Sequence, residues 1–141
     1  MDTEQKSLVV DAVMENLDAV IGFVEEQLES ADCPMKVSMQ ICVSLEEIYV
    51  NIVNYAYGDT VGTCELMSKL EPWEDGNKFT LTIRDRGKPF NPLEREDPDI
   101  TLSAEERQIG GLGIFMVKKT MDEVSYEYQS GQNVLTIVKK W

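Results

Sequence analysis

The residues with the clearest chemical potential lie along one edge of a long predicted helix. Glu47 and Asn51 are four positions apart in the stretch SLEEIYVNIVN, so on a helix their side chains reach the same place. A carboxylate and an amide oxygen are hard ligands that suit Mg²⁺ or its waters. Gln40, Ser44 and Asn54 continue the same strip. Spacing alone favours the plainer interpretation, in which the strip is the polar border of an amphipathic helix.

Asp85 is the second unusual position. It follows Phe79, Leu81 and Ile83 with a period of two, and so continues the apolar face of a predicted strand. A carboxylate on that face is costly unless it finds donors, which a ligand amine or an ordered water would supply. Gly87 would let the backbone come close to a ligand. The alternative is an aspartate that ends a strand at a turn.

Three glycines, Gly110, Gly111 and Gly113, open the last predicted helix. Free N–H groups at the start of a helix face an approaching anion. The segment has no G-K-[ST] sequence and no strand leading directly into it, so it is neither a Walker loop nor a Rossmann fingerprint. The alternative is a tight turn from a loop into a helix.

The elements that would hold these residues follow a simple order. The predicted strands cover residues 6–14, 61–70, 78–85, 123–128 and 133–140, and the predicted helices cover residues 17–30, 35–56 and 111–121. We expect Asn16 to cap the first helix and Gly58 to end the second. Residues 86–110 form a long loop, which in a compact domain is usually functional. This order predicts one α+β domain over residues 1–141, a two-layer sandwich whose mixed sheet carries the helices on one face.

The negative charge is concentrated in the first part of the chain. Residues 1–77 hold 16 acidic and three basic residues, whereas residues 78–141 hold ten of each, so the net charge of −13 belongs to the first part. Such a surface repels nucleic acid and anionic membranes, and we expect neither as a partner. A polyanionic ligand would lie beside the second part or bring a metal cation.

The composition also excludes some kinds of site. Histidine is absent and the three cysteines have no C-x-x-C spacing, which argues against a zinc site and a histidine-dependent triad. No stretch approaches the roughly 20 apolar residues of a membrane span, and the N-terminus lacks a signal pattern. Together with the odd number of cysteines, these features predict a cytoplasmic protein whose thiols are small buried hydrophobic groups.

In this order, Glu-x-x-x-Asn on a helix, Asp-x-Gly after a strand and Gly-x-Gly before a helix resemble the N, G1 and G2 boxes of the GHKL ATPases. Within that superfamily the chain is most similar to the anti-sigma factor serine/threonine kinases. The similarity lies in the segments SLEEIYVNIVNYAY, DRGKPFNP and GGLGIFMVKKTMDEVSY, and it extends over residues 6–141. It implies the Bergerat ATP-binding fold, a histidine-kinase-like ATPase domain, and the use of ATP with Mg²⁺.

The resemblance implies roles for the residues of the long helix. Glu47 would be the general base that takes the proton from a target hydroxyl, and Asn51 would hold the Mg²⁺ that bridges the ATP phosphates. Glu46 is turned about 100° away from Glu47 on a helix, which favours Glu47 as the base. Tyr55 stands where many relatives carry histidine, and this departure removes neither the base nor the metal ligand.

The resemblance also implies a nucleotide site. Asp85 would accept the adenine amino hydrogen, and Gly87 would give backbone room beside the purine. Gly111 and Gly113 would present amides to the phosphates. Thr136 would lie near the water network on the adenine side.

The same resemblance implies a lid and a set of partners. Residues 88–109 would form the ATP lid, and Arg107 within it is a candidate phosphate contact. The partners would be an anti-sigma-factor antagonist of the STAS fold, phosphorylated on serine or threonine, and a sigma factor; the family is also compatible with a homodimer. The alternative function is a binding module in which ATP selects the partner without phosphoryl transfer.

Overall fold

The computed structural model of the chain describes residues 3–94 and 111–141. Within them, the strands are β1 (Glu4–Asp11), β2 (Thr63–Trp73), β3 (Gly76–Asp85), β4 (Glu123–Gln129) and β5 (Gln132–Lys140). The helices are α1 (Leu17–Ser30), α2 (Met35–Tyr55) and α3 (Gly111–Thr120). The fold is α+β, as the order of the predicted elements indicates.

The sheet has the strand order β1-β2-β3-β5-β4, and every neighbouring pair is antiparallel. The prediction of a mixed sheet is therefore wrong. Two connections explain why. The paired helices α1 and α2 return the chain to the end of the sheet where β1 stops, so that Asp11 pairs with Thr63. The connection through α3 does make β4 run parallel to β3, but β5 folds back from β4 and occupies the place between them.

The core forms where one face of the sheet meets α1 and α2. On the helices, fully buried apolar residues recur at the three- and four-residue spacing that gives one face: Val20, Val24, Leu28, Ile41, Leu45 and Tyr49. On the strands, alternate residues are buried, and these are Leu66, Phe79, Leu81, Ile83 and Ile137. Truncating one of these to alanine would cost about 2–5 kcal/mol of unfolding free energy.

The chain between β1 and α1 is held by a tyrosine rather than by the predicted helix cap. The Tyr49 hydroxyl donates to the carbonyls of Asp11 and Val13 and accepts from the Val13 N–H, which ends β1 earlier than predicted. Asn16 precedes α1 as expected, but its side chain donates to the Asp11 carbonyl at 2.8 Å and does not cap the helix. The predicted cap is therefore wrong, although the predicted bounds of α1 are confirmed.

The cysteines fit the role of small hydrophobic groups. Cys64 is fully buried in the core, and Cys33 and Cys42 are partly buried; all three are free thiols. Burial raises the pKa of the Cys64 thiol to about 12, so it stays protonated and unreactive. In the described part of the chain, no helix is both long enough and apolar enough to cross a membrane.

Candidate active site

A pocket opens between the C-terminal half of α2 and the inner face of β3 and β5. Its walls are formed mainly by Ile48, Asn51, Ile52, Ala56, Ile83, Asp85, Lys88, Phe90, Pro92, Tyr126, Asn133 and Leu135. The cavity volume is about 40 Å³, room for one or two waters and far below the roughly 300–1,000 Å³ of a small-molecule site. Lys88, Phe90 and Pro92 belong to the predicted lid, so the pocket is narrowed by the segment expected to cover it.

Asp85 lies at the inner end of this pocket, as its period-two position on β3 predicts. It is 6% exposed, and its Oδ1 accepts hydrogen bonds from the Gly87 N–H and the Asn133 amide, both at 2.9 Å. Burial raises the pKa of the Asp85 carboxyl, and these two hydrogen bonds oppose that rise. Both hydrogen bonds end on Oδ1, so within the described residues the other carboxylate oxygen remains available to an amine donor in the pocket.

Gly87 is required by the close approach of two backbone segments. A Cβ placed on it would lie 2.2 Å from the Ala56 carbonyl oxygen at the end of α2. The neighbouring Lys88 N–H donates to that same oxygen at 2.9 Å. Tyr57 secures the junction from the other side, because its hydroxyl accepts from the Arg86 N–H and donates to the Thr63 carbonyl. The glycine therefore fixes the distance between Asp85 and α2.

Asn133 is the site residue that sequence reasoning missed. Its amide donates to Asp85 and to the Lys88 carbonyl at 2.9 Å, and its oxygen accepts from the Phe90 N–H and the Tyr126 hydroxyl. All the hydrogen-bonding capacity of one buried side chain is thus used to join Asp85 to the start of the predicted lid. A signal was present, since Asn133 precedes Leu135 and Ile137 on the inner face of β5, as Asp85 follows Ile83 on β3.

Thr136 lies on the opposite face of the sheet. It pairs with Thr82 on β3 and Ser125 on β4, whereas the pocket-facing pairs are Asp85 with Asn133 and Ile83 with Leu135. Because side chains alternate between faces, an even-numbered residue of β5 does not reach the pocket. The structure therefore does not bring Thr136 to the site, and Asn133 occupies the place on β5 nearest Asp85.

Glu47 and Asn51 meet at the other end of the site. The Asn51 amide donates to the Glu47 carboxylate at 3.4 Å, and Asn51 also lines the pocket that contains Asp85. Glu47 is half-buried, whereas Glu46 is exposed, which agrees with the choice of Glu47 from its direction on the helix. The helix strip and the end of β3 are therefore parts of one continuous site.

Gly113 places α3 directly against Glu47. A Cβ on Gly113 would lie 2.1–2.4 Å from the carboxylate atoms of Glu47, so only glycine lets that carboxylate keep its place beside α3. Gly111 is the first residue of α3, which puts the start of that helix beside the same carboxylate. Gly110, Arg107 and the predicted lid beyond Glu94 lie outside the described residues.

The sequence profile of the histidine kinase-like ATPase domain matches residues 10–139, nearly the whole chain. The chain belongs to the histidine kinase-like ATPase domain family. The match includes every residue of the site described above.

Relatives of this ATPase domain are named as a serine-protein kinase and as an anti-sigma factor. It is 28% identical over 119 residues to the serine-protein kinase RsbW of Bacillus thuringiensis strain Al Hakam, an alignment that covers 82% of this chain and 66% of the relative. It is also 23% identical over 101 residues to an anti-sigma F factor of Thermoanaerobacter sp. strain X514, an alignment that covers 72% of this chain and 68% of the relative. The chain thus spans slightly less than two thirds of the RsbW relative.

A crystal structure of the RsbU and RsbW domains of Rv1364c from Mycobacterium tuberculosis has the same fold. The TM-score is 0.65 at 16% sequence identity, and the likeness covers 96% of this chain and 32% of that one. At this identity the likeness establishes the fold of the ATPase domain.

The described residues of the ATPase domain contain no cluster of three or more Asp, Glu or Cys side chains that could hold a metal alone. The Asn51 side chain offers one amide oxygen beside the pocket, and such a donor suits Mg²⁺, which is usually bound through one or two protein oxygens together with substrate phosphates and water.

Proposed function

We propose that this protein is an ATP-dependent serine/threonine protein kinase that phosphorylates an anti-sigma-factor antagonist. One observation carries the proposal: Glu47 is held between Asn51 and Gly113, one helical turn from a pocket that ends in the buried Asp85. The proposed base, the proposed metal ligand, the start of α3 and the proposed purine acceptor thus belong to one site.

The residues at the inner end fit adenine. Ile48, Ile83 and Leu135 offer apolar walls for a flat ring, and one Asp85 oxygen remains for the exocyclic amine. Gly87 keeps the neighbouring backbone free of side-chain atoms. The volume of about 40 Å³ requires that Phe90 and its neighbours move outward when the purine enters. We therefore assign residues 88–109 to a lid, as part of the proposal.

The residues at the outer end fit the triphosphate. The amides of Gly111 and Gly113 lie in the first turn of α3, where unpaired N–H groups and the helix dipole favour negative charge. Asn51 would give an oxygen ligand to Mg²⁺, and Arg107 is a further candidate for a phosphate contact. In a chain of net charge −13, these donors and the metal offset repulsion of the nucleotide.

Bound ATP with Mg²⁺ would supply the phosphoryl group, and the chain would supply the base. Glu47 takes the proton from the serine or threonine hydroxyl of the acceptor as the hydroxyl oxygen bonds to phosphorus. The Asn51 amide donates a long hydrogen bond to the Glu47 carboxylate, and because Gly113 has no side chain, α3 leaves that carboxylate in place. ADP is the leaving group.

The partners form part of the same proposal. The names of the relatives support a protein acceptor phosphorylated on serine and a sigma factor as partners, and the resemblance of the sequence implies that the acceptor is an anti-sigma-factor antagonist of the STAS fold. We place the protein in the cytoplasm as a single domain over residues 1–141, and a homodimer is compatible with this function.

The experiment is single-turnover transfer of radiolabelled phosphate from ATP to the STAS-domain proteins of the source organism. Glu47→Gln keeps the shape and the Asn51 contact but removes the base, so we expect ATP binding to persist and transfer to fall by about 10²–10⁴-fold. Glu46→Gln, on the exposed neighbour, is the matched control and should transfer at the wild-type rate.

A full rate in Glu47→Gln would remove Glu47 from the catalytic role, and a loss confined to Glu46→Gln would assign the base to Glu46. If the wild-type protein binds ATP and its acceptor but transfers no phosphate, ATP acts only as a switch for binding, and the kinase proposal is wrong.

A further inference from the structure

An apolar groove lies between α2 and α3 on the side of Glu47 away from the nucleotide pocket. Its cavity volume is about 530 Å³, and its walls are formed by Met35, Lys36, Met39, Gln40, Val43, Ser44, Gly113, Met116, Val117 and Thr120. Four of them are large apolar side chains with high exposed fractions, namely Met35 at 79%, Met39 at 60%, Val43 at 58% and Met116 at 45%. Contiguous exposure of this kind marks a binding surface.

The groove is a second apolar face of α2. Met35, Met39 and Val43 are spaced by four residues and form one row along the helix. The core face is formed by a different set, which includes Ile41, Leu45 and Ile48. Packing on the sheet requires only the core face, so the exposed row has no role in the fold that the described residues show. Methionine side chains adapt to the shape of a partner, which suits a row used for docking.

One end of the groove reaches the proposed base. Gly113 lines the groove and also touches the Glu47 carboxylate, and Ser44 lines it one turn before Glu47 on α2. Asn51, one turn after Glu47, lines the nucleotide pocket instead. Glu47 therefore lies between the two cavities. From Met35 to Glu47 the helix rises about 18 Å, the length of about three turns of a docked helix.

The walls of the groove are free of carboxylates, although the chain has 26 acidic residues. No acidic residue occurs between Cys33 and Leu45, where Lys36 is the one charged side chain, and α3 carries Lys118 and Lys119 and no acid. The groove is thus an uncharged to basic region in a strongly acidic protein. It complements an apolar surface with acidic flanks and repels a second acidic surface less than the rest of the molecule does.

We propose that this groove docks the phosphoacceptor protein, and this inference rests on the kinase function proposed above. The acceptor would lay an apolar ridge with acidic flanks along Met35, Met39 and Val43. Its serine or threonine hydroxyl would lie at the Gly113 end, next to Glu47 and opposite the nucleotide. The groove sets the affinity for the acceptor, whereas Asp85 and Asn51 set the affinity for ATP.

The test is steady-state phosphorylation of the STAS-domain protein that wild type phosphorylates, with Met39→Glu as the groove variant. Met67→Glu, an exposed methionine on the outer face of the sheet, is the matched control. We expect Met39→Glu to raise the KM for the acceptor by about tenfold or more, since central apolar anchors dominate such interfaces. The kcat at saturating acceptor and the Kd for ATP should stay within about twofold of wild type, as should every constant of Met67→Glu.

Lys36→Glu gives a second test that does not depend on the core of the groove. Lys36 is exposed, so the substitution leaves folding intact, and the KM for the acceptor should rise several-fold at low salt and less at high salt. Equal KM values for wild type, Met39→Glu and Lys36→Glu would overturn the docking site and leave the kinase proposal standing. A groove variant that only halves the mass of a wild-type dimer in sedimentation would show a contact between copies and would also overturn it.

Failure of the proposed function would be visible in the wild-type protein alone. If wild type transfers no phosphate to any STAS-domain protein, both the kinase function and this docking surface are wrong. If wild type transfers phosphate and the groove variants have the same KM for the acceptor as wild type, the docking inference is wrong and the kinase proposal stands.

Discussion

The two ends of the candidate site are held in different ways. At the sheet end, formed by Asp85 and Asn133, both residues are 6% exposed and are joined by a hydrogen bond of 2.9 Å. At the helix end, formed by Glu47, Asn51 and Gly113, the hydrogen bond is 3.4 Å long and Glu47 is only half-buried. A bond of that length contributes little, because N–H···O bonds weaken beyond about 3.2 Å.

Under the proposed function, we expect this difference to separate nucleotide binding from phosphoryl transfer. The polar groups of the sheet end are satisfied by the protein itself, so they are in place as soon as the strands pair. The helix end depends on a glycine contact and one long hydrogen bond. Substitutions at the sheet end should therefore alter stability and nucleotide affinity, whereas substitutions at the helix end should alter the rate of transfer with little change in stability.

Among the variants that test this difference, Gly113→Ala should have the largest effect, a loss of the phosphoryl-transfer rate. The new Cβ would lie 2.1–2.4 Å from the carboxylate atoms of Glu47, the far end of a flexible side chain, so Glu47 moves and the backbone does not. We expect the transfer rate to fall by about 100-fold or more, as for loss of a general base, with no loss of unfolding free energy. Single-turnover transfer and thermal unfolding measure the two quantities.

Gly22→Ala in α1 is the control for a new methyl group on a helix. Nothing lies within 4 Å of its Cβ position, so the variant should gain about 0.5–1 kcal/mol of unfolding free energy and keep its activity. If Gly113→Ala instead unfolds the protein and keeps its transfer rate per folded molecule, the helix end is structural and the comparison fails.

Asp85→Asn tests the sheet end. If Asp85 is the charged acceptor for the purine amine, as we propose, its loss should weaken ATP and ADP binding alike by about tenfold or more, since hydrogen bonds to charged groups are worth about 1.5–3 kcal/mol. The Gly87 and Asn133 bonds to Oδ1 remain possible, so the fold should persist. Calorimetric titration with both nucleotides gives the affinities, and Asp75→Asn on the exposed hairpin turn is the control.

The same variant also reports the state of the carboxyl. The pKa of Asp85 is raised above 3.8 by burial, so its contribution to stability is present below that pH and is lost as pH rises through the raised value. The difference in unfolding free energy between wild type and Asp85→Asn should therefore decrease from about pH 4 upward. A difference that does not change with pH, together with unchanged nucleotide affinity, would remove Asp85 from the site.

Much of this architecture could be predicted because its signals are local. The bounds of α1 and α3, the inward position of Asp85 and the meeting of Glu47 with Asn51 all follow from helix and strand periods. The fully antiparallel sheet could not be predicted in this way, because the position of β5 between β3 and β4 depends on how the hairpin of β4 and β5 packs against β3. The role of Tyr49 also could not be predicted, because its hydrogen-bond partners Asp11 and Val13 are 38 and 36 positions away in the sequence.

For β5, the family resemblance and the alternation of side chains along the strand indicate different site residues, Thr136 and Asn133. Resemblance pointed to Thr136, but the register of β5 with β3 places odd-numbered residues on the inner face, where Asn133 faces Asp85. Counting back by two from the buried Ile137 and Leu135 reaches Asn133, an amide that continues an apolar face. The physical rule already applied to β3 would have identified it on β5.

Substitutions at these two positions give the smallest and most selective effect. Asn133→Leu removes four hydrogen bonds at similar volume and leaves the Phe90 N–H and the Lys88 carbonyl without their partner, which should cost about 1–3 kcal/mol of unfolding free energy. ATP affinity should fall several-fold, because Asp85 loses a donor that orients it. Thr136→Val, three residues along the same strand, should leave ATP affinity within about twofold, because its side chain lies on the other face. Calorimetry on both variants decides between them: weaker ATP binding in Thr136→Val with normal binding in Asn133→Leu would restore Thr136 to the site and show that the sheet end is not prepared by Asn133.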